Sequence, residues 1–185
     1  MNVTVRPAQP GDGAGIVRVW SSAAAYYTAL DPAHFQVPQG EHMAEDWDAF
    51  LGQEDNNSLR LVAETGGWVI GWLSARIELP EDSAAIQLTR EHGWTRLAVD
   101  ALIVDQAHWR NGSGTALLKA AEVWGHDRGA QIARLDTFAH SPVSVPFMKI
   151  AWVTSGERSH SRNGCRRCLW ALRAPGRTHC RLLRE

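Results

Sequence analysis

The sequence predicts an α/β (α+β) domain: a mixed, mostly antiparallel sheet of about six to seven strands, one parallel βαβ unit, and helices on both faces. Three observations lead there. Two apolar runs, residues 59–63 and 68–77, are joined by Glu64-Thr65-Gly66-Gly67, a strong hairpin signal. A long apolar run at residues 95–104 passes through a glycine turn into a helical pattern and then into a further strand at 132–138. That is the length and order of a parallel crossover unit. Finally, no apolar run approaches the roughly 20 residues needed to cross a bilayer.

Taken in order, residues 3–7 (VTVRP) alternate apolar and polar and read as an edge strand. Asp12 is the best N-cap for a helix through Ile16, Val17, Val19 and Trp20, ending between residues 23 and 27. Pro32, Pro38 and Gly40 mark residues 28–40 as a loop. A second helix is expected over residues 41–51, with Met43, Trp47, Phe50 and Leu51 on one face. After the hairpin, residues 80–93 are polar, with a short helix expected at 82–92. The helix over residues 114–128 should turn Leu117, Leu118, Ala121 and Trp124 inward and stop at Gly129. Residues 142–150 hold another short helix.

Composition is that of an ordinary globular chain, with 44% apolar and 21% charged residues. The 185 residues suffice for one sizeable core. The first residues, MNVTVRPAQP, do not read as a signal peptide; with neither export signal nor span, a cytoplasmic home and no membrane partner are expected. Nine Trp are scattered and make no stacking platform. Charge divides the chain. Residues 1–154 carry 11 Lys/Arg against 18 Asp/Glu, whereas residues 155–185 carry 8 Arg against 2 Glu and all three Cys (Cys165, Cys168, Cys180). We therefore read a domain at 1–154 and an atypical Arg/Cys-rich segment at 155–185, where only residues 168–172 keep a strand-like alternation. An altered reading frame after residue 148 would produce such a tail. Cys165-x-x-Cys168 with His179-Cys180 has some metal-ligand character, but the spacing matches no familiar zinc site and no metal is expected.

The glycine turn carries the chemistry. Residues 102–118, LIVDQAHWRNGSGTALL, read as strand end, polar turn and helix start. Asn111, Gly112, Ser113 and Gly114 form the turn and Thr115 leads into the helix. Unpaired amides converge at such a helix start and the dipole adds positive potential, which suits a phosphate. Glycine at both turn positions permits φ > 0 and close approach. A tight connection without a ligand is the plain alternative.

Leu102, Val104, Gly112 and Gly114 match a core motif of the form Leu-x-Val-x-Pro-x-Tyr-Arg/Gln-Gly-x-Gly-x-Gly/Ala. A second signature, Leu-x-Val-x-x-x-Asn-x-x-Ala-x-x-Phe-Tyr, is echoed by LDTFAHSPVSVPFM through Leu135 and Phe147. With this order of elements, residues 3–154 resemble the GNAT N-acetyltransferases, which use acetyl-CoA as cosubstrate. The chain departs from the pattern at Trp109, where Arg or Gln is usual, and at Ser141, Ser144 and Met148, where Asn, Ala and Tyr are usual.

The resemblance implies transfer of an acetyl group to a primary amine, on a small molecule or a peptide, by direct attack in a ternary complex. It implies that Trp109, Arg110, Asn111, Gly112, Ser113, Gly114 and Thr115 hold the pyrophosphate. Leu102, Ile103 and Val104 would hold the pantetheine and thioester, with Ser141 and Ser144 also at the cosubstrate. A backbone N–H near Ile103 would be the oxyanion donor, and Asp100 the general base; otherwise Asp100 is a hydrogen-bonded carboxylate on the outer strand face. An acceptor mouth would draw on Tyr26, Tyr27, His34, Phe35, Glu41, Glu45, Asp46 and Asp48, suiting a cationic amine, unless these acids are a solvated helix face. Two other readings stand beside this one. Met148 cannot protonate a leaving thiolate, which would fit a catalytically impaired acyl-CoA-binding domain. The Arg-rich tail would fit a nucleic-acid-binding protein, although nucleic acid is the less expected partner because aromatic residues are not interleaved. The acceptor amine is unknown, and a homodimer is left open.

Overall fold

A computed structural model describes residues 2–152, 157–162 and 165–171. Its elements are β1 (Thr4–Pro7), α1 (Gly13–Leu30), α2 (Met43–Leu51), β2 (Ser58–Thr65), β3 (Trp68–Glu78), β4 (Arg96–Val104), α3 (Ser113–Asp127), β5 (Ile132–Phe138), α4 (Ser144–Trp152), β6 (Glu157–Arg162) and β7 (Cys165–Ala171). The strands form a seven-stranded sheet in the order β1-β2-β3-β4-β5-β7-β6. Pairing is antiparallel for β1–β2, β5–β7 and β6–β7, and parallel for β4–β5. The mixed sheet with one parallel βαβ unit is thus the architecture expected from the sequence.

The chain divides into two compact units, residues 1–74 with 101–120 and residues 75–100 with 121–185. In the first unit, Ile16, Val19, Leu51, Val62, Val69 and Trp72 make a core, flanked by Trp20, Trp47 and Ile103. The β2–β3 connection is Gly66-Gly67, with φ of 56° and 79°. Two consecutive positive φ values give the type I′ turn whose twist suits a hairpin. Helices α1 and α3 both pack on β3: Gly15 abuts Val69, and Leu117 abuts Gly71.

The start of α1 differs from expectation. Asp12 is the residue before the helix, but its side chain caps nothing. The Arg6 guanidinium takes it in a two-pronged bond, both contacts at 2.8 Å, and Gln9 N–H donates to it at 2.9 Å. Arg6 also reaches Glu64 on β2 at 2.8 Å. The amides of Gly11 and Gly13 donate instead to Asp48 Oδ1 of α2, both at 2.8 Å. Gly13 makes that possible, since a Cβ there would lie 2.2 Å from Ala44 O. Helix α1 also runs past residue 27 to Leu30, because the alanine-rich stretch favours helix and the chain breaks only at Asp31 before Pro32.

In the second unit, α3 closes as expected, with Gly129 N–H bonded to His126 O and Ala130 N–H to Gly125 O, the double bond of a Schellman end. Gly125 sits on Leu97, while Trp124 is only half-buried beneath the Arg128 guanidinium at 4.3 Å. The helix expected at 82–92 is replaced by two 3-10 turns, Ala84–Ile86 and Arg90–Gly93. Glu81 draws the segment into a closed loop: its N–H donates to His92 O, and its carboxylate meets His92 at 2.9 Å and Arg96 at 3.4 Å. Where one short alternation was expected, β6 and β7 form, and β7 pairs with β5 from Ile132↔Ala171 to Phe138↔Cys165. His179 and Cys180 lie outside the described residues.

The Arg6 bond holds the Asp12 carboxyl below its ordinary value of 3.8. A lowered folded pKa contributes stability that is present above about pH 4 and fades as pH falls through the lowered value. Asp12→Asn should therefore cost about 2 kcal/mol near neutral pH. Urea unfolding from pH 7 to pH 3 should show a shallower acid-induced loss for the variant than for the wild type.

Candidate active site

The turn between β4 and α3 lies in the first unit. Its geometry is set locally. Asn111 Oδ1 accepts from Ser113 N at 3.0 Å and from Ser113 Oγ at 2.6 Å, and Ser113 is 1% exposed. The α3 ladder begins at Ala116 N to Gly112 O, 2.9 Å. The amides of Gly114 and Thr115 in that first turn therefore have no helical acceptor. Gly112 has φ 88°, and a Cβ built there meets nothing within 4 Å, so the backbone stands open to a ligand.

Two details depart from the sequence reading. Gly114 lies inside α3 and is not among the positive-φ residues; the second left-handed residue is Arg110, with φ 61°. Such a backbone costs a non-glycine residue of order 1 kcal/mol. Arg110 is exposed and its guanidinium has no protein partner among the described residues.

Trp109 has a definite place. Its Nε1–H donates to Val104 O at 2.7 Å, tying the turn to the end of β4. The ring edge meets Tyr26 of α1 at 5.0 Å and 90°. One helical turn earlier, Ser22 Oγ donates to Asp105 Oδ1 at 3.2 Å and Gln106 approaches Ser22 at 3.5 Å. Residues 22 and 26 of α1 thus clasp residues 105 and 109, four apart on each side. Asp105 also accepts from Ala107 N–H at 3.2 Å, and His108 Nδ1 lies 4.0 Å from it. Leu102, Ile103 and Val104 are half-buried, and Ile103 O lies 3.2 Å from the Cβ position of Gly71.

Tyr26, Tyr27, Phe35 and His34 form a chain of ring contacts at 4.8–5.3 Å. Asp48 is committed to the amides of α1, while Glu41, Glu45 and Asp46 are exposed.

The remaining candidates lie in the second unit. Asp100 is exposed and paired through Oδ1 with Arg76 Nη1. Ser141 is 2% exposed; its Oγ accepts from Ser144 N at 3.0 Å and donates to Ser144 Oγ at 3.1 Å, so it caps the start of α4. Met148 is 3% exposed, a packed thioether on the same helix. No group of three or more metal-ligating side chains occurs among the described residues. The Arg76 pairing was missed in the sequence because it joins residues 24 apart; an Arg among the outer positions of β3 was its one trace.

The parallel ladder of β4 and β5 runs from Arg96↔Ile132 to Val99↔Leu135, yet β4 continues to Val104 and its end feeds the glycine turn. The model of the acetyltransferase (GNAT) family matches residues 20–152. The chain belongs to the GNAT acetyltransferase family. No curated protein matches it. Among solved structures, this GNAT chain is similar to the PaiA N-acetyltransferase from Thermoplasma acidophilum in complex with coenzyme A, at 15% identity and TM-score 0.68 over 92% of this chain and 99% of that one. It is likewise similar to an acetyltransferase from Thermus thermophilus, at 18% identity and TM-score 0.62 over 93% and 98%. The ribosomal-protein-S18-alanine N-acetyltransferase from Escherichia coli matches at 10% identity and TM-score 0.61 over 97% and 99%. At these identities the likeness speaks for the GNAT fold.

Trp109→Phe keeps the ring against Tyr26 and deletes the bond to Val104 O, so it should lose about 1 kcal/mol in chemical unfolding. Trp109→Ala removes the ring as well and should lose about 3 kcal/mol or more.

Proposed function

We propose that this chain transfers the acetyl group of acetyl-CoA to a primary amine by direct attack in a ternary complex. The observation that carries the reading is the β4–α3 turn of a GNAT family member: open amides at Gly114 and Thr115, Gly112 with nothing beside it, and Arg110 exposed alongside. These groups suit a pyrophosphate, since backbone donors at a helix start are indifferent to the side-chain departures nearby. Leu102, Ile103 and Val104 would run beside the pantetheine. Acetyl-CoA supplies an activated thioester.

This chain's residues have three tasks: binding, removing a proton from the amine, and steadying the carbonyl oxygen as charge develops on it. We assign the second task to Asp100 and the third to the N–H of Ile103. Both lie on β4. The new bond joins the amine nitrogen to the carbonyl carbon as the carbon–sulfur bond breaks. Asp100 takes the amine proton, and the thiolate takes one from solvent. A thiol with a pKa near 8.5 needs little acid assistance to leave, which makes Met148 tolerable where a Tyr is usual. Ser141 serves α4 and is not needed in this scheme.

Met148 also supports a second reading, an acyl-CoA-binding domain with impaired turnover. No described helix is long and apolar enough to cross a membrane. Titration with acetyl-CoA followed by a thiol-release assay over an amine panel separates the readings. Binding with release supports transfer, binding alone supports the impaired domain, and no heat at high micromolar ligand refutes both. Gly112→Val should abolish binding, because the side chain meets φ 88°. Asp100→Asn should leave binding intact and lower turnover by about 100-fold.

A further inference from the structure

Four charged side chains from three neighbouring strands of the second unit form one connected row. The Arg76 guanidinium of β3 bridges two carboxylates, with Nη1 on Asp100 Oδ1 of β4 and Nη2 on Glu78 Oε1 at 2.8 Å. The same Glu78 oxygen accepts from Arg134 Nη2 of β5 at 3.2 Å. Glu78 and Arg134 are each 23% exposed, whereas Arg76 and Asp100 are 44% and 40% exposed. The row is therefore anchored at its Glu78–Arg134 end and open at Asp100. Asp100 Oδ2 has no protein partner among the described residues.

From this geometry we infer that Arg76 is the positioning residue of the Asp100 base, an inference that rests on the base assignment made above. A guanidinium is a planar fork, and fixing one prong fixes the other. Glu78, itself held by Arg134, sets the plane of Arg76. Arg76 then occupies one carboxylate oxygen and leaves the second for an incoming amine or the water that precedes it. The guanidinium also places its positive charge directly against the carboxylate that is to receive the proton. Among the residues whose side chains are described, the charged groups on this face are Arg76 and Glu78 from β3, Arg96 from β4, and Arg134 and Asp136 from β5. Arg96 is occupied by Glu81 and by Glu91 O, so Arg76 is the cation bonded to Asp100.

The test is the pH profile of turnover at saturating acetyl-CoA and amine, with acetyl-CoA binding measured on each variant as a check of folding. Asp100→Asn should remove the acidic limb. Arg76→Gln should keep that limb but move it upward by about half a unit to one unit, since Asp100 loses its cation while still half exposed. Turnover should fall about tenfold at the optimum, with acetyl-CoA affinity unchanged. Arg76→Lys should restore the limb's position and not the rate, because an ammonium does not bridge both carboxylates in one plane. If Asp100→Asn keeps the limb, the base assignment itself is wrong and this inference falls with it. If Asp100→Asn removes it and Arg76→Gln leaves it in place, the inference alone is overturned. Should Arg76→Gln fail to bind acetyl-CoA through misfolding, Arg76→Lys decides: wild-type turnover there overturns the inference, and reduced turnover with a fixed limb supports it.

Discussion

Strand β4 keeps its parallel neighbour for four residue pairs, and the organisation of the chain follows from where that ladder ends. Leu97, Ala98 and Val99 are almost fully buried, and Gly125 lets α3 settle on Leu97. This half of the strand exists for packing. The half that follows, from Asp100 to Val104, contributes a carboxylate, a run of half-buried backbone and the lead into the glycine turn. One strand thus packs first and then leads into the turn, which is how a loop acquires a fixed frame.

The turn is not left to hold itself. Trp109 bonds back to Val104 O and leans on Tyr26, and Ser22 reaches Asp105. Helix α1 is in turn fixed at its start by borrowed groups, since Asp48 of α2 satisfies its leading amides while Asp12 serves Arg6 and, through Arg6, β2. An indole that donates one bond and packs one edge does the positioning here, and the charge stands one place later, at Arg110.

Much of this was legible. The Gly66-Gly67 hairpin, the crossover unit and the glycine turn declare themselves through residues a few positions apart, where turn chemistry and periodicity act. The misreadings share a cause. Asp12 looks like a cap because it precedes an apolar helix, yet Arg6 outcompetes the helix amides for its carboxylate. Residues 82–92 look helical by composition, yet Glu81, His92 and Arg96 close them into a loop. The Arg76–Glu78–Arg134 row was invisible because its links to Asp100 and Arg134 cross between strands. Local grammar names the elements; partners brought from far along the chain decide which side chains are free to work.

Arg110 carries an implication for engineering. Glycine at that position would relieve the left-handed backbone, so selection for thermal tolerance alone would drift toward Arg110→Gly. The same change would delete the exposed cation beside Gly114 and Thr115. Under the proposed pyrophosphate role of the turn, robustness and ligand affinity pull in opposite directions at this residue, and a library scored only on heat survival would trade one for the other.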